Sequence, residues 1–340
     1  SSGREFPTLY SRKGHIDLAA VFPRNKSNKN YFKPDVIECG GDLGFYNPTT
    51  IDYIDNSAMA VLSARPELGY ILETGTSLSA PLTANLAAKI LNEYPNINAQ
   101  TIKALIINGA SLNNIQFPKQ VSHLLNVTAG NGFVDVENSL FSNENKATLI
   151  LEDVISDTDL KIYPIYFPKY LLEDDLGRKK GLVKITATLC FSFEPLQNNQ
   201  LSYNPIHMAF SFFKNHSADE INAKNDDFNS KLRSTLSWSQ NGRNVSKPIP
   251  FSNSQKINFT IDLNHLISEN QVLKLAIHCK VSTQIIGGLP ASYPKQFPFS
   301  MAISIEENTK KKSGKLYDEL LQINNLEVLG DIELEGSIDL

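Results

Sequence analysis

The distribution of apolar residues changes near residue 143, and this change limits the folds that are open to the chain. Before it, short apolar runs alternate with helical patterns; after it, apolar and polar residues alternate with a period of two along many stretches. The first pattern is typical of an α/β unit and the second of antiparallel β structure. The sequence therefore predicts an α/β domain over 1–143, a hinge in the segment 141–147 and a β domain over 146–306.

The β part has the clearer pattern of the two. Apolar residues occupy every second position of 182–193, 273–279 and 299–305. Further strands are predicted at 148–151, 160–167, 206–213, 234–239 and 256–262, with a tight turn at Asn241-Gly242. Strands of this kind bury one face and expose the other to water, as in an antiparallel sandwich-like domain. About eight strands over about 160 residues are enough to bury a core, so we expect this region to fold by itself.

The first part combines short strands with two helices. Strands are predicted at 18–22, 35–37 and 58–62. Residues 78–94 carry small or apolar side chains around most of the helix circumference, which predicts a central helix buried on nearly all sides. After Pro95, Asn98 is a suitable N-cap for a second helix that starts at Ala99 and ends at Gly109.

Composition excludes several classes of function. The chain has 32 Lys and Arg against 36 Asp and Glu, so it lacks the basic excess that binds nucleic acid or an anionic membrane surface. No stretch approaches the roughly 18 apolar residues of a transmembrane helix. Cys39, Cys190 and Cys279 have no CxxC spacing, which argues against a disulfide framework and a cysteine zinc site. We therefore expect free thiols, a reducing, cytoplasmic location, and no metal or cofactor.

The two ends of the chain carry less information. Residues 1–14 contain no initiator methionine and no apolar signal segment, so we expect the chain to be a piece of a longer protein. At the other end, a Lys-rich linker leads into a tail over 315–340. The tail combines a short helical pattern with an acidic stretch, and we expect it to be a loose or docked appendage.

One segment, Glu73 to Pro81, has the features of a reactive site. It contains a serine, Ser77, in a Gly-containing turn that leads directly into the first predicted helix. The free N–H groups and the positive end of a helix face whatever lies at its N-terminus, and such groups stabilise an oxyanion. The alternative is that Ser77 is an ordinary helix N-cap, because serine is favoured at that position anywhere.

Four sequence blocks resemble motifs of one enzyme family. Gly75 to Pro81 (GTSLSAP) is similar to the G-T-S-x-[AS]-[AS]-P motif around the nucleophile of subtilisin-like serine proteases, the subtilases. Ser11 to Gly14 resembles the S-x-x-G turn of that family. Lys33 to Gly41 resembles its K-P-D-[VIL]-x-A-P-G block, from which it departs at Glu38-Cys39. Gly130 to Val136 resembles the G-x-G-x-[VI]-[DN]-[VAP] segment near the end of the catalytic domain.

This resemblance implies a fold and an activity. It implies the C-terminal half of an α/β catalytic domain with a parallel sheet and central helices, in which Ser77 is the nucleophile and Gly75 and Thr76 form the oxyanion turn. The D-[ST]-G and H-G-T motifs do not occur before Ser77, where the only histidine is His15, so the triad Asp and His and the oxyanion Asn are expected upstream. None of the histidines after Ser77 is expected to be the base, and this chain alone is expected to be inactive.

Partners follow from the same resemblance. It implies hydrolysis of a protein or peptide substrate through an acyl-enzyme, with the β domain in a supporting or substrate-selecting role, and a separate ATPase as a further partner. The alternative from another class is a non-catalytic scaffold, derived from a degenerate subtilase, that binds protein or glycan. The two hypotheses differ in whether the complete gene encodes the missing motifs.

Overall fold

The computed structural model describes most of the chain. The described residues are 8, 33–52, 57–113, 115, 128–172, 183–196, 204–214, 216–222, 252–263, 272–281, 289–308, 312–324 and 327–328. The predicted strands at 18–22 and 234–239, the turn at Asn241-Gly242 and the Ser11 to Gly14 block lie outside them. No helix in this described part is both long and apolar enough to cross a membrane.

The second part of the chain forms two antiparallel sheets. Its elements are β5 (Lys146–Ser156), β6 (Leu160–Tyr166), α4 (Lys169–Leu172), β7 (Val183–Phe191), β8 (Ile206–Phe213), α5 (Ala218–Asn222), β9 (Ser254–Ile261), β10 (Val272–Val281), β11 (Gln296–Glu307), α6 (Leu316–Ile323) and β12 (Glu327–Val328). One sheet has the order β12-β5-β11-β7-β9 and the other β6-β10-β8, and every pairing is antiparallel. The antiparallel strands predicted within the described residues are thereby confirmed, apart from shifts of a few residues at their ends.

The alternating residues form the core between the two sheets. On β7, Val183, Ile185, Ala187 and Leu189 are fully buried, and their partners on β11 include Met301 and Ile303. The same cluster takes in the apolar side chains of β8 and β10 and three residues of α6, namely Leu316, Tyr317 and Leu320. The tail is thus docked along α6, while its acidic end lies outside the described residues.

The opposite face of the five-stranded sheet is also covered, which corrects the expectation that it is wet. It packs against a helix of the first part, α2 (Ala99–Gly109). Ile150, Cys190 and Ala302 lie on this face and are at most 2% exposed. A strand with alternating polarity has one hydrophobic and one more polar face, but the alternation does not specify what contacts the polar face. The result is a stack of helix, five-stranded sheet and three-stranded sheet.

Within its described residues, the first part contains two hairpins and three α-helices. These are β1 (Gly44–Asn47) with β2 (Thr50–Asp52), β3 (Met59–Leu62) with β4 (Tyr70–Glu73), α1 (Thr76–Glu93), α2, and α3 (Val136–Leu140). α2 has the predicted bounds, and the side chain of Asn98 caps it by accepting from the Thr101 N–H at 2.9 Å. The predicted parallel sheet is not seen among the described residues, where both hairpins are antiparallel and one parallel bridge joins Ile37 to Phe133.

The exposure of α1 corrects a second expectation. The sequence predicted a helix buried on nearly all sides, but only Leu86 and Ile90 are buried. Ala80, Ala84 and Ala88 are exposed, as are Leu82 and Leu91. The side chains fit a buried environment, so the difference lies in what covers the helix and not in the helix itself.

Candidate functional site

Ser77 lies at the start of α1, directly after a strand. β4 ends at Glu73, Gly75 is the helix N-cap, and Ser77 is the second residue of the helix. The cap makes no side-chain hydrogen bond, and the Ser77 side chain is exposed. The interpretation of Ser77 as an ordinary N-cap is therefore wrong, since that position belongs to Gly75.

The N-terminus of α1 gives Ser77 a polar environment. The N–H groups of a first helical turn have no preceding turn to bond to, and the helix dipole adds partial positive charge there. Thr76 and Ser77 both belong to this turn, whose Leu78 N–H is satisfied by the Gly75 carbonyl at 2.9 Å. The Ser77 hydroxyl therefore lies in the same helical turn as the backbone N–H groups of Thr76 and Ser77. Acyl transfer requires a nucleophile to lie close to N–H groups that can stabilise an oxyanion.

The segment Lys33 to Gly41 holds the turn in front of Ser77. The Gly75 N–H donates to the Gly40 carbonyl at 2.8 Å, and the Ser79 hydroxyl donates to the Glu38 carbonyl at 3.0 Å. A Cβ on Gly40 would lie 2.8 Å from the Gly75 carbonyl oxygen and 2.7 Å from the Ser79 hydroxyl. Only glycine permits this approach, so two of the four motif blocks meet through a residue without a side chain.

A third block, Gly130 to Val136, packs on the other side of the same segment. The backbone N–H and the side-chain amide of Asn131 both donate to the Asp35 carbonyl at 2.9 Å, and the Ile37 N–H donates to the Gly132 carbonyl at 3.0 Å. Gly132 has a φ of 97°, and a Cβ there would lie 2.0 Å from the Ser111 carbonyl oxygen. The Lys33 to Gly41 block thus contacts two other blocks, and the fourth block lies outside the described residues.

Asp35 is the charged centre of this arrangement. Its carboxylate pairs with Lys33 and, at 3.5 Å, with Lys103 of α2, and it accepts a hydrogen bond from the Ser254 hydroxyl of β9. Burial alone would raise the pKa of Asp35, but the charges of Lys103 and Lys33 and the hydrogen bonds from Lys33 and Ser254 outweigh it, so this pKa lies below its usual value. Asp35 therefore stays ionised and links the first part of the chain to the five-stranded sheet.

Lys256, which lies two residues after Ser254 on β9, makes a second link between this strand and the first part of the chain. The sequence did not indicate this link. Its ammonium donates to three carbonyls at the C-terminal end of α2, those of Ile107 at 2.9 Å, Asn108 at 3.0 Å and Ala110. Burial and the nearby charges of Lys146 and Lys184 lower the pKa of Lys256 to about 8. In the sequence Lys256 alternates with Ile257 and Phe259 and so falls on the face expected to be wet.

The described histidines lie in the other sheet or beside it. His207 is on β8, His278 on β10, and His216 follows β8 and pairs with Glu220 at 3.5 Å. His15, His123 and His265 are outside the described residues. Across the described ranges, no cluster of three or more His, Cys, Asp or Glu side chains has metal-binding spacing. All three cysteines are free thiols, with Cys39 exposed and the other two buried.

Comparison with known proteins agrees with the three sequence blocks that lie between residues 33 and 136. Residues 17–139 match the sequence model of the subtilase family. The chain is also 28% identical over 192 residues to the uncharacterized protein y4bN of Sinorhizobium fredii (strain NBRC 101917 / NGR234), and the match covers 52% of the chain and 42% of that relative. The chain thus spans less than half the length of this relative. The resemblance to subtilases is confirmed over residues 17–139, and beyond this segment the described chain forms two stacked antiparallel sheets.

Proposed function

We propose that Ser77 is the nucleophile of a serine endopeptidase that cleaves protein or peptide substrates. The observation that carries this proposal is the position of Ser77, an exposed residue in the first turn of α1. This turn is held by the Lys33 to Gly41 segment, which the Gly130 to Val136 block contacts in turn. A serine that only capped a helix would not require Gly40 to approach within contact of the turn. The match of residues 17–139 to the subtilase family supports the same conclusion.

The mechanism that fits this geometry is acyl transfer. The Ser77 hydroxyl attacks the substrate carbonyl and loses its proton to an imidazole that a carboxylate orients. The N–H of Ser77 and an asparagine side chain stabilise the resulting oxyanion. The imidazolium then gives its proton to the amine that leaves as the peptide bond breaks, and water hydrolyses the acyl-enzyme that remains. We propose that the imidazole, the carboxylate and the asparagine belong to upstream chain, because no His or Asp before Ser77 stands in the corresponding motif.

The exposed apolar surfaces of α1 and of the β3–β4 hairpin support upstream chain of this kind. On the β3–β4 hairpin, Leu62 and Tyr70 face each other across the strands and are 77% and 67% exposed. An exposed sheet face is normally polar, and an alanine-rich helix such as α1 is normally buried. We propose that the upstream part of the catalytic domain covers both surfaces and brings its catalytic groups to Ser77.

A fluorophosphonate probe tests the proposal. We expect it to label the full-length protein at Ser77, and to label the 340-residue chain no more than its Ser77→Ala variant, since a serine without its base keeps its proton. Thr83→Ala is the matched control, because Thr83 lies further along the same helix and its hydroxyl donates to the Ser79 carbonyl within that helix at 3.4 Å. Absence of labelling in the full-length protein, with the fold intact, would favour the non-catalytic scaffold.

A further inference from the structure

Two side chains of β9 contact the first part of the chain at separate points. Ser254 and Lys256 are two residues apart on one strand, so they point to the same face of the sheet. Ser254 donates to the Asp35 carboxylate, and Lys256 donates to the carbonyls at the end of α2. β9 therefore contacts both the Lys33 to Gly41 segment and α2, the helix that covers the sheet.

The contact through Ser254 leads to the turn in front of Ser77 in a few steps. Asp35 is followed five residues later by Gly40, whose carbonyl accepts the N–H of Gly75. Along this stretch of chain, residues 35–40, the Glu38 carbonyl accepts the hydroxyl of Ser79. A shift of Asp35 is therefore transmitted along backbone that is hydrogen-bonded on both sides.

The contact through Lys256 leads to the same stretch from the other direction. The carbonyls that it binds end α2, and the next residue, Ser111, exchanges two backbone hydrogen bonds with Phe133, at 2.8 and 2.9 Å. Phe133 forms the parallel bridge to Ile37. Both contacts of β9 thus converge on residues 35–40.

We propose that Ser254 and Lys256 are positioning residues, which fix residues 35–40 and through them the turn that carries Ser77. This inference rests on the proposed function and assigns the stacked sheets a supporting role and not a substrate-selecting one. The packing agrees with that role, because Ile90, the residue of α1 that shares a hydrophobic cluster with Ile150, Cys190 and Ala302 of the sheet, lies about 20 Å along the helix from Ser77. Groups at that distance act on the serine through the backbone and not by touching a substrate at the scissile bond.

The test uses the full-length protein and the rate of fluorophosphonate labelling at Ser77. We expect Ser254→Ala and Lys256→Met each to slow labelling, and the double variant to slow it about tenfold or more, because small displacements of a reacting group have large effects on rate. In peptide hydrolysis kcat should fall while KM stays near that of the wild type. Lys256→Arg and Ser254→Thr keep the hydrogen-bond donors and should restore most of the rate.

Controls separate positioning from loss of stability. Lys184→Met is the matched variant, since Lys184 lies on the neighbouring strand of the same sheet and pairs with Glu306 at 3.7 Å. Rates are compared at a temperature where circular dichroism shows every variant to be folded; if Lys256→Met does not fold there, Ser254→Ala decides. Wild-type labelling rates in the folded variants would overturn the inference. Failure of the wild type to label would instead overturn the proposed function.

Discussion

Replacing Asn108 by alanine tests whether α2 and the five-stranded sheet form one structural unit. Asn108 is buried in their interface. Its side-chain NH2 donates to the Ser304 hydroxyl at 2.6 Å, and its side-chain oxygen accepts from the Thr188 hydroxyl at 3.0 Å. Ser304 is also bonded to Thr148 at 2.7 Å. The alanine variant removes two hydrogen bonds and leaves the Thr188 hydroxyl without its acceptor.

The cost follows from these contacts. Each lost hydrogen bond contributes about 1 kcal/mol net, and a buried polar group left without a partner costs about 1–3 kcal/mol more. The expected loss in the free energy of unfolding is therefore about 3–5 kcal/mol. That is a large part of the roughly 5–15 kcal/mol that stabilises a typical folded domain.

Urea denaturation of the 340-residue chain, followed by circular dichroism, measures this loss. Asn92→Ala, an exposed asparagine of α1, is the matched control and should change the free energy by about 0.5 kcal/mol or less. The double variant Asn108→Ala, Ser304→Ala should lose less than the sum of the two single variants, because both remove the same bond. A loss below about 1 kcal/mol in Asn108→Ala, or strict additivity, would refute a closed polar interface.

Two further predictions concern ionisation and thiol exposure. The pKa of Lys256 is about 8 in the folded state against 10.5 unfolded, so above the lower value the native state loses a proton that the unfolded state keeps. The free energy of unfolding of the wild type relative to Lys256→Met should then rise by up to about 3 kcal/mol between these two pH values. Denaturation at a series of pH values measures this difference, and a difference that does not change with pH would contradict the lowered pKa. In thiol titration only Cys39 should react in the native state and all three cysteines in denaturant, because burial raises the pKa of Cys190 to about 12 and also raises that of Cys279. Fast modification of three thiols in native protein would contradict this.

The sequence predicted those parts of the fold that depend on local pattern. Parity along β7, β10 and β11 identified the residues between the two sheets, and Asn98 identified the start of α2, because both signals arise from neighbouring residues. Gly40 and Gly132 belong to motif blocks that the sequence identified, and in the structure each lies against another segment of the chain. These positions need close backbone approach, which only glycine allows.

The parts that failed depend on what one element packs against. Alternation on β9 put Lys256 on a face with polar residues, and nothing in the sequence indicates that the end of α2 covers that face. The error for α1 was the reverse. Its small and apolar side chains predicted burial, but among the described residues most of the helix is exposed. A hydrophobic pattern indicates that one face of an element is suited to burial, but it does not identify what packs against that face.

This limit changes one expectation, that residues 146–306 fold by themselves. That segment lacks α6, whose Leu316 and Leu320 are fully buried in the core between the sheets, and it lacks α2, which covers Ile150, Cys190 and Ala302. Burying a leucine contributes about 1.5–3 kcal/mol, so losing the two leucines of α6 costs about 3–6 kcal/mol before the face under α2 is considered.

We therefore expect residues 97–324 to unfold cooperatively in urea and 146–306 to be far less stable or to aggregate. The intermediate segment 146–324 separates the two contributions, since it restores α6 and leaves the face under α2 open. Adding α2 should then raise the free energy of unfolding again, because the hydroxyls of Thr188 and Ser304 regain Asn108 as their partner. If 146–306 is soluble and unfolds at the same urea concentration as 97–324, the sheets do not need either helix and the stack of three layers is not a single cooperative unit.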